Sequence, residues 1–345
     1  MIRVLVVDDS PTMRMIISRI LESDPELTVA GQARNGKEAI ALCRKLNPDI
    51  ITMDIRMPEM DGYQAIQRIM SESPRPIVVL TTTQSDRELG TSFKAVEYGA
   101  LMVLGKPGGL TTGTRAMEDL KAQVKAMAGV KVVGRRKRSA ERPRMVEPIR
   151  THARSDSEPI TLIAMGASTG GPPALQMVLG MLPENLKVPV VVVQHISEGF
   201  VNGLARWLNE TIRLEVTVAA NGMLLKPGTV YIAPDNRHLA VGSEGRAWLK
   251  ELPPVDGHRP SVTALFESVA LHYGKKGAGV LLTGMGADGA AGLKAMRDAG
   301  SYTIAQDEET SIIFGMPGEA IKLGGASDVA PLKEIAGKLK SMVMN

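Results

Sequence analysis

The stretch TLIAMGASTGGPPALQMVLG, residues 161–180, decides the fold class of the second half of the chain. It opens with a short apolar run, residues 161–165, that is typical of a buried parallel strand. Small residues follow and allow a sharp turn, and Pro172 and Pro173 come where a helix tolerates proline, in its first turn. The stretch therefore predicts a strand, a tight turn and a helix, the unit from which parallel α/β sheets are built.

The same alternation continues on the C-terminal side of this stretch. Further strands are predicted at residues 188–193, 216–219, 229–232 and 279–282, and helices at 172–182, 199–211, 261–273 and 289–299. We expect one α/β domain over residues 159–345, with five strands.

The N-terminal part shows an independent alternation of the same kind. Short β-branched runs lie at residues 4–7, 49–53, 77–80 and 101–104, and amphipathic helical patterns include 11–21 and 36–46. Five such βα units predict a doubly wound sheet over residues 1–125. The chain is thus predicted to be α/β throughout, with two doubly wound α/β domains.

Residues 126–158 are predicted to be a basic flexible linker. Residues 131–154 hold nine basic and two acidic side chains, a net +7, so the remaining residues together carry −3 although the whole chain is +4. The excess of positive charge therefore belongs to the linker and not to a folded surface. A polybasic tail that binds RNA or membrane is the alternative, but no aromatic side chains alternate with the charges to stack on bases.

Composition limits the remaining classes of protein. The single cysteine, Cys43, excludes an intramolecular disulfide framework. The first ten residues are too short an apolar run, and too acidic, for a signal peptide. No apolar run approaches the ~18 residues of a membrane helix. We therefore expect a cytoplasmic protein with no membrane span.

Acidic residues follow two strands of the first domain at the point where each strand ends. Asp8 and Asp9 come directly after the first strand, and Asp54 follows the third. Ligands bind at this edge of an open parallel sheet, and Mg²⁺ prefers carboxylates together with water and phosphate oxygens. Lys106 and Thr81, at the ends of the fifth and fourth strands, supply an ammonium and a hydroxyl. A single strand-end acid is typical of a solvated turn, but this set is what a transient aspartyl phosphate requires.

The segments LVVDDSPTMR, DIITMDIRMPEMDG, VVLTTT and GKP resemble the receiver domain of two-component response regulators. The resemblance implies a flavodoxin-like fold with Asp54 as phosphoacceptor. It also implies that Asp8, Asp9 and Asp54 bind Mg²⁺ and that Thr81 and Lys106 contact the phosphoryl group. Residues 101–103 are Leu, Met and Val where many receivers carry a switch aromatic, so an aromatic rotamer switch is not predicted.

Residues 166–170 form a G-x-S-x-G pattern around Ser168, between the predicted strand and helix. Small neighbours let such a turn expose the serine hydroxyl. A glycine-rich turn that binds a dinucleotide phosphate is the rival interpretation. That interpretation expects an acid at the end of the next strand, where this sequence has Gln194 and His195.

A serine nucleophile needs a base. His195 is favoured because it ends the strand that follows the serine's own strand. His238 and His258 are placed in loops, as substrate contacts or surface residues, and His272 lies in a helical pattern.

The base needs an orienting acid, and Asp288 is one candidate. It lies in a glycine-rich loop after a strand, where it could equally cap the next helix. Asp307 and Asp235 are weaker candidates.

The segments GASTGGP, VVVVQHI, YIAPDNRHL, HRPSV and LLTGMGADGA resemble the catalytic domain of the chemotaxis protein-glutamate methylesterase (CheB) family. The resemblance implies a parallel-sheet serine hydrolase with Ser168 as nucleophile, His195 as base and Asp288 as orienting acid. Backbone N–H groups at Thr169 and Met285 are candidates for the oxyanion site. The order Ser, His, Asp differs from the Ser, Asp, His order of ordinary α/β-hydrolases.

The two resemblances together imply a phosphorylation-activated enzyme of bacterial chemotaxis. Its substrates would be methyl-accepting chemoreceptors, whose glutamyl methyl esters it hydrolyses and whose glutamines it deamidates. A chemotaxis histidine kinase would be the phosphodonor, with Mg²⁺ needed for phosphorylation and no cofactor for the esterase reaction. The alternatives are a phospho-switched, non-catalytic receptor adaptor and a DNA-binding regulator, although the sequence lacks a basic helix-turn-helix pattern.

Overall fold

The structure, a computed structural model, describes residues 1–82, 86–108, 114–130, 132 and 159–343. The chain divides into two compact units, Met1–Glu147 and Pro148–Asn345. Each unit contains a parallel sheet with helices between its strands, which confirms the predicted fold class.

The first unit is a five-stranded parallel sheet in the order β2-β1-β3-β4-β5. This is the flavodoxin-like order, in which ligands bind beyond the carboxyl end of β1. Its elements are β1 (Ile2–Val7), α1 (Pro11–Glu22), β2 (Leu27–Ala33), α2 (Gly36–Leu46), β3 (Ile50–Met53), α3 (Gly62–Glu72), β4 (Ile77–Thr81), α4 (Asp86–Glu97), β5 (Met102–Gly105) and α5 (Thr114–Ala128).

Local sequence explains where three of these helices begin. Ser10, Asn35 and Asp61 are the N-caps of α1, α2 and α3, and each side chain accepts a hydrogen bond from the backbone N–H three residues on. Such caps satisfy donors that have no partner inside the helix. The caps therefore fix the turns that follow β1, β2 and β3 at the functional edge.

The second unit is built on a seven-stranded parallel sheet in the order β14-β13-β12-β6-β7-β9-β8. Its elements are β6 (Leu162–Ala167), α6 (Gly171–Gly180), β7 (Val190–Gln194), α7 (Val201–Thr211), β8 (Glu215–Val218), β9 (Thr229–Ile232), β10 (His238–Val241), β11 (Ala247–Lys250), α8 (Val262–Tyr273), β12 (Gly277–Leu281), α9 (Ala290–Asp298), β13 (Tyr302–Gln306), α10 (Met316–Lys322), β14 (Asp328–Ala330) and α11 (Leu332–Val343).

The five strands predicted for this unit are present, but the count was wrong. The sheet has two further strands, β13 and β14, and an antiparallel pair, β10 and β11, lies outside it. These four strands are three to five residues long. Runs this short give few residues for a periodic pattern, so strands of this length are recovered only in part: β8 and β9, four residues each, were found and these four were not.

The core of the second unit lies between its sheet and the helices α8 and α9. Its fully buried side chains include Val262, Leu265 and Phe266 from α8 and Leu293 and Met296 from α9. Because α8 packs here, its first turn is held directly beside the carboxyl edge of the sheet.

Helix α5 runs to Ala128, beyond the expected end of the first domain at residue 125. Of the predicted linker, residues 131 and 133–158 lie outside the described residues, so its extent stays a prediction. In the described part of the chain, no helix combines the length and apolar character needed to cross a membrane.

Candidate active site

The carboxyl edge of the second sheet brings together the residues that the sequence placed at strand ends. Strand β6 is central and has β7 on one side and β12 on the other. Ser168 follows β6, His195 follows β7, and Asp288 lies in the loop after β12. The strand order reverses between β6 and β12, and such a switch point is where α/β sheets bind ligands.

The turn that carries Ser168 is held on both sides. Ser168 N–H donates to Thr283 O at 3.1 Å, and Gly171 N–H donates to Ser168 O at 2.8 Å. Gly170 has φ +78°, a left-handed conformation that side chains rarely adopt, and it turns the chain into α6. Ser168 is thus fixed between a strand end and a helix N-terminus, where developing negative charge is favoured.

The imidazole of His195 is bound to Asp288. Its Nε2 lies 2.8 Å from Asp288 Oδ2, and its Nδ1 is buried, with no hydrogen-bond partner among the residues that the structure describes. With Asp288 ionised, Nε2 carries the proton and donates it, so the lone pair of a neutral ring is on Nδ1. The ring nitrogen available to accept a proton is therefore Nδ1.

Four donors converge on the carboxylate of Asp288. Oδ1 accepts hydrogen bonds from Ser261 Oγ at 2.7 Å and from Thr263 N–H at 2.9 Å. Oδ2 accepts from Val262 N–H at 2.7 Å and from the His195 ring at 2.8 Å. Ser261 is the N-cap of α8, so the carboxylate lies at the positive end of that helix.

The surroundings of Asp288 keep it ionised. Burial raises the pKa of this carboxyl, but the hydrogen bonds from His195, Thr263 and Ser261 outweigh burial and hold the pKa well below its usual range. A carboxylate that stays charged can stabilise an imidazolium formed on His195. The sequence left open whether Asp288 caps the next helix; instead it binds the first turn of α8, and Gly289 is the N-cap of α9.

The rival carboxylates are occupied elsewhere. Asp235 accepts a hydrogen bond from Gly199 N–H at 2.8 Å, and Asp307 accepts one from Thr310 N–H at 3.0 Å. Within the described residues, the carboxylate bonded to His195 is that of Asp288. Geometry therefore favours Asp288 as the partner of the imidazole.

Of the other histidines, His272 lies in a helix as predicted, whereas His238 does not lie in a loop. The sequence predicts a loop at His238, but this residue lies in β10 and is buried. Its Nδ1 accepts a hydrogen bond from Ser261 N–H, and its Nε2 donates one to Pro253 O. His272 is exposed in the last turn of α8. His238 therefore supports the cap of α8 from behind and is not a surface residue.

His258 makes a contact that the sequence did not predict. Its ring stacks on that of His195, with centroids 3.9 Å apart and planes 5° apart. The two residues are separated by two strands, a hairpin and a helix in sequence. Only the path of the loop before α8 brings them together, so no local signal could have found the pair.

The oxyanion candidates Thr169 and Met285 follow β6 and β12, which are neighbours in the sheet. Thr169 O accepts a hydrogen bond from Thr283 Oγ1 at 3.0 Å, which ties the serine turn to the loop after β12. Met285 lies in that loop, and its side chain is 46% exposed. No acceptor for the Met285 N–H is found in the part of the chain that the structure describes.

The carboxyl edge of the first sheet brings together the predicted acidic cluster. One carboxylate oxygen from each of Asp8, Asp9 and Asp54 lies within 4.8 Å of the others. Lys106 Nζ lies 2.8 Å from Asp8 Oδ2 and 2.8 Å from Asp54 Oδ2. Thr81, at the end of β4, accepts a long hydrogen bond of 3.5 Å from a neighbouring hydroxyl of α4. All five predicted residues thus lie at one edge.

The charges of this cluster are strongly coupled. Burial raises the pKa of the Asp54 carboxyl, and the ammonium of Lys106 acts in the opposite direction. Burial lowers the pKa of Lys106, but hydrogen bonds to Asp54 and Asp8 outweigh it and raise the pKa above its usual value. Three oxygen donors of this kind fit a hard divalent cation such as Mg²⁺.

Known protein families match both units of the chain. The family described as CheB methylesterase matches residues 163–339, and the response regulator receiver domain matches residues 4–118. Protein-glutamate methylesterase/protein-glutamine glutaminase 1 of Syntrophus aciditrophicus (strain SB) is 44% identical over 342 residues, which are 97% of each chain. The chain belongs to the CheB methylesterase family. The predicted family is therefore confirmed, and the chain is a hydrolase with a response-regulator domain.

A second relative and a solved structure of the CheB family also match this chain. Protein-glutamate methylesterase/protein-glutamine glutaminase 4 of Geobacter metallireducens (strain ATCC 53774 / DSM 7210 / GS-15) is 44% identical over 347 residues, covering 100% of this chain and 99% of its own. The crystal structure of the Thermotoga maritima CheB methylesterase catalytic domain matches with a TM-score of 0.52 and 38% identity, covering 53% of this chain and 99% of that domain.

Proposed function

We propose that this chain hydrolyses glutamyl methyl esters on methyl-accepting chemoreceptors and deamidates receptor glutamines. The hydrogen bond between His195 Nε2 and Asp288 Oδ2, beside the turn that carries Ser168, is the observation that carries the proposal. The names of the relatives, protein-glutamate methylesterase and protein-glutamine glutaminase, support the substrate class.

In the proposed reaction, Ser168 Oγ attacks the ester carbonyl carbon while Nδ1 of His195 accepts the hydroxyl proton. The proton then passes to the departing methoxide, so that methanol leaves and an acyl-enzyme remains. Water, deprotonated by the same nitrogen, attacks the acyl carbon; the bond to Ser168 Oγ breaks, and the proton on Nδ1 passes to Oγ, which releases the glutamate side chain and restores Ser168 and neutral His195. With a glutamine substrate the leaving group is ammonia and the other steps are the same.

Asp288 acts in this scheme by holding the imidazole and by stabilising its protonated form. It does not need to accept a proton, because its hydrogen bonds from α8 and Ser261 keep it ionised. The backbone N–H groups of Thr169 and Met285 are the proposed donors to the oxyanion. One such donor contributes about 3–4 kcal/mol to the transition state in serine hydrolases.

The receiver domain is proposed to control this activity by phosphorylation of Asp54. Asp8, Asp9 and Asp54 would hold Mg²⁺, which when bound neutralises charge on the attacking carboxylate and the incoming phosphoryl group. Lys106 is held beside Asp54 and would bond a phosphoryl oxygen, as would the hydroxyl of Thr81. The donor would be a chemotaxis histidine kinase, and both partners would meet the enzyme in the cytoplasm.

Methanol release from a methylated chemoreceptor, with and without a small phosphodonor, tests the proposal. The wild-type protein should release methanol faster with the donor. Ser168→Ala should lose activity by several orders of magnitude, because the serine and the histidine act as one unit. A folded Ser168→Ala protein with full activity would exclude the serine mechanism. A wild-type protein that binds receptors but never releases methanol would instead be a phospho-switched adaptor.

A further inference from the structure

Gln194, the last residue of β7, connects the two catalytic candidates through its side chain. Its amide nitrogen donates to Ser168 O at 2.7 Å and to His195 O at 2.8 Å. The side chain is buried, with 3% exposure. Two acceptors on one side settle the orientation of the amide, because a flipped amide would place its oxygen against two carbonyl oxygens.

The position of this side chain matters because the sheet ends here. The ladder between β6 and β7 closes with Ala167 opposite Gln194, and the last bond runs from His195 N–H to Ala167 O at 3.0 Å. Ser168 then turns away toward α6. Beyond this bond, the Gln194 amide joins the backbone of the serine to the backbone of the histidine.

The amide is held in place at a cost to the fold. Its oxygen, Oε1, is buried and finds no hydrogen-bond partner in the described part of the chain, which is unfavourable for any polar group. The first residue of α6 is Gly171, and a Cβ there would lie 1.9 Å from Oε1, so only glycine leaves room for the amide. An apolar side chain of the same length would fill this space without burying an unpaired oxygen.

We infer that Gln194 is a positioning residue that sets the register between Ser168 and the imidazole of His195. The inference rests on the proposed function, since it assumes that these two residues react together. Ser168 O accepts from both Gly171 N–H and the Gln194 amide, so both of its lone pairs are used. Loss of the amide removes the link between the serine turn and β7, while the bonds of Ser168 to Gly171 and Thr283 remain.

The expected signature is a loss in the chemical step and not in substrate binding. Displacing reacting groups by about 1 Å costs up to about 100-fold in rate, so Gln194→Met should lower kcat about 10- to 100-fold with little change in KM. Gln194→Glu keeps the shape of the side chain and replaces the donor by an oxygen. It should lower kcat at least as much.

The experiment compares full-length wild-type protein, Gln194→Met, Gln194→Glu and a control, Thr303→Val. Thr303 is fully buried at the amino end of β13 and bonds Ser327, away from the site, so its substitution also removes buried hydrogen bonds. Two rates are measured with Mg²⁺ and phosphodonor present: labelling of Ser168 by a fluorophosphonate reagent, and methanol release with kcat and KM separated.

The result expected is slower labelling and lower kcat in both Gln194 variants, with the control close to wild type. Labelling and kcat of either folded Gln194 variant within about threefold of wild type would overturn the inference, as would an equal loss in Thr303→Val. Should Gln194→Met not fold, Gln194→Glu decides alone. If the wild-type protein itself is not labelled at Ser168, the proposed function is wrong. If the wild type is labelled and the Gln194 variants behave like it, only the role of Gln194 is wrong.

Discussion

His195 is bound to Asp288 through Nε2, at 2.8 Å, and not through the ring nitrogen nearer the backbone. Nδ1 is left buried, and no described residue forms a hydrogen bond to it. The carboxylate thereby selects the tautomer with its proton on Nε2 and its lone pair on Nδ1. This relationship makes specific predictions about the acid, the neighbouring histidine and the pH dependence of stability.

Replacement of Asp288 should remove activity because it changes the tautomer of His195. In Asp288→Asn, the side-chain amide can donate to Nε2, which would move the ring proton to Nδ1 and block acceptance of the serine proton. We expect a loss in kcat of about 10⁴-fold, as for the equivalent change in other serine hydrolases. Methanol release measures the loss. Asp235→Asn is the matched control, since Asp235 lies near the same edge but binds Gly199 N–H; if it were the inactive variant, our assignment of the acid would be wrong.

The same carboxylate should make the stability of the second unit depend on pH. Because the folded-state pKa of Asp288 is depressed, its ionised form stabilises the fold above the unfolded pKa of about 3.9. That contribution is lost as the pH falls toward the folded-state pKa. The difference in unfolding free energy between wild type and Asp288→Asn should therefore be largest near pH 7 and shrink below about pH 5.

Urea unfolding followed by tryptophan fluorescence measures this difference, because both tryptophans, Trp207 and Trp248, lie in the second unit. Asp235 provides a control of opposite sign. Burial raises the pKa of Asp235, so the wild type should gain stability relative to Asp235→Asn as the pH falls. Equal slopes for the two variants would contradict the proposed environment of Asp288.

The two stacked histidines should differ sharply in their effect on turnover. His195→Ala should be about as damaging as Ser168→Ala, because both belong to one reacting unit. His258 packs on the face of the His195 ring, and its removal should loosen that ring without removing the base. We expect a loss of about tenfold for His258→Ala, following the usual cost of small misplacements. His258→Phe keeps a planar partner and should be closer to wild type; an inactive His258→Ala beside an active His195→Ala would refute this assignment.

Activation should depend on Asp54 and on Mg²⁺, whereas basal hydrolysis should not. Asp54→Asn should release methanol at the unstimulated rate and ignore a small phosphodonor. Chelation of Mg²⁺ should have the same effect on the wild type, since the proposed ester reaction uses only groups of the second unit. Asp61→Asn is the matched control, because Asp61 caps α3 and lies outside the acidic cluster. If the wild-type protein still responds to the phosphodonor after Mg²⁺ is chelated, phosphorylation of Asp54 does not require Mg²⁺ at the three acids.

Removal of the receiver should release the hydrolase from control. A protein beginning at Pro159 should hydrolyse receptor esters faster than the unphosphorylated full-length chain and should be indifferent to the phosphodonor. A few kcal/mol of differential stability is enough to change such an equilibrium from mostly inhibited to mostly active. Comparison of methanol release by the two proteins measures the effect. Full-length Asp54→Asn, which cannot be phosphorylated at this position, is the reference. Lower activity in the truncated protein would make the receiver an activator rather than an inhibitor.

Much of the architecture could be predicted because its signals are local. Apolar runs, helix periodicity and the residues Ser10, Asn35 and Asp61 at helix starts report on contacts within a few residues of each other. The turn at residues 166–171 depends likewise on small neighbours. Strand ends also predicted which residues share the carboxyl edge of each sheet, since all strands of a parallel sheet end on the same side.

The sequence by itself therefore determined two parallel sheets, the turn of Ser168 and the set of polar residues at the strand ends. Only the tertiary structure decided that β12 lies beside β6, which places Asp288 opposite His195 and binds it to the first turn of α8. It also decided the stacking of His258 on His195 and the two hydrogen bonds that the Gln194 amide donates, one to each of two backbone carbonyls. These contacts join segments far apart in the chain. They depend on strand order and loop paths, which the packing of the whole domain selects and local periodicity does not record.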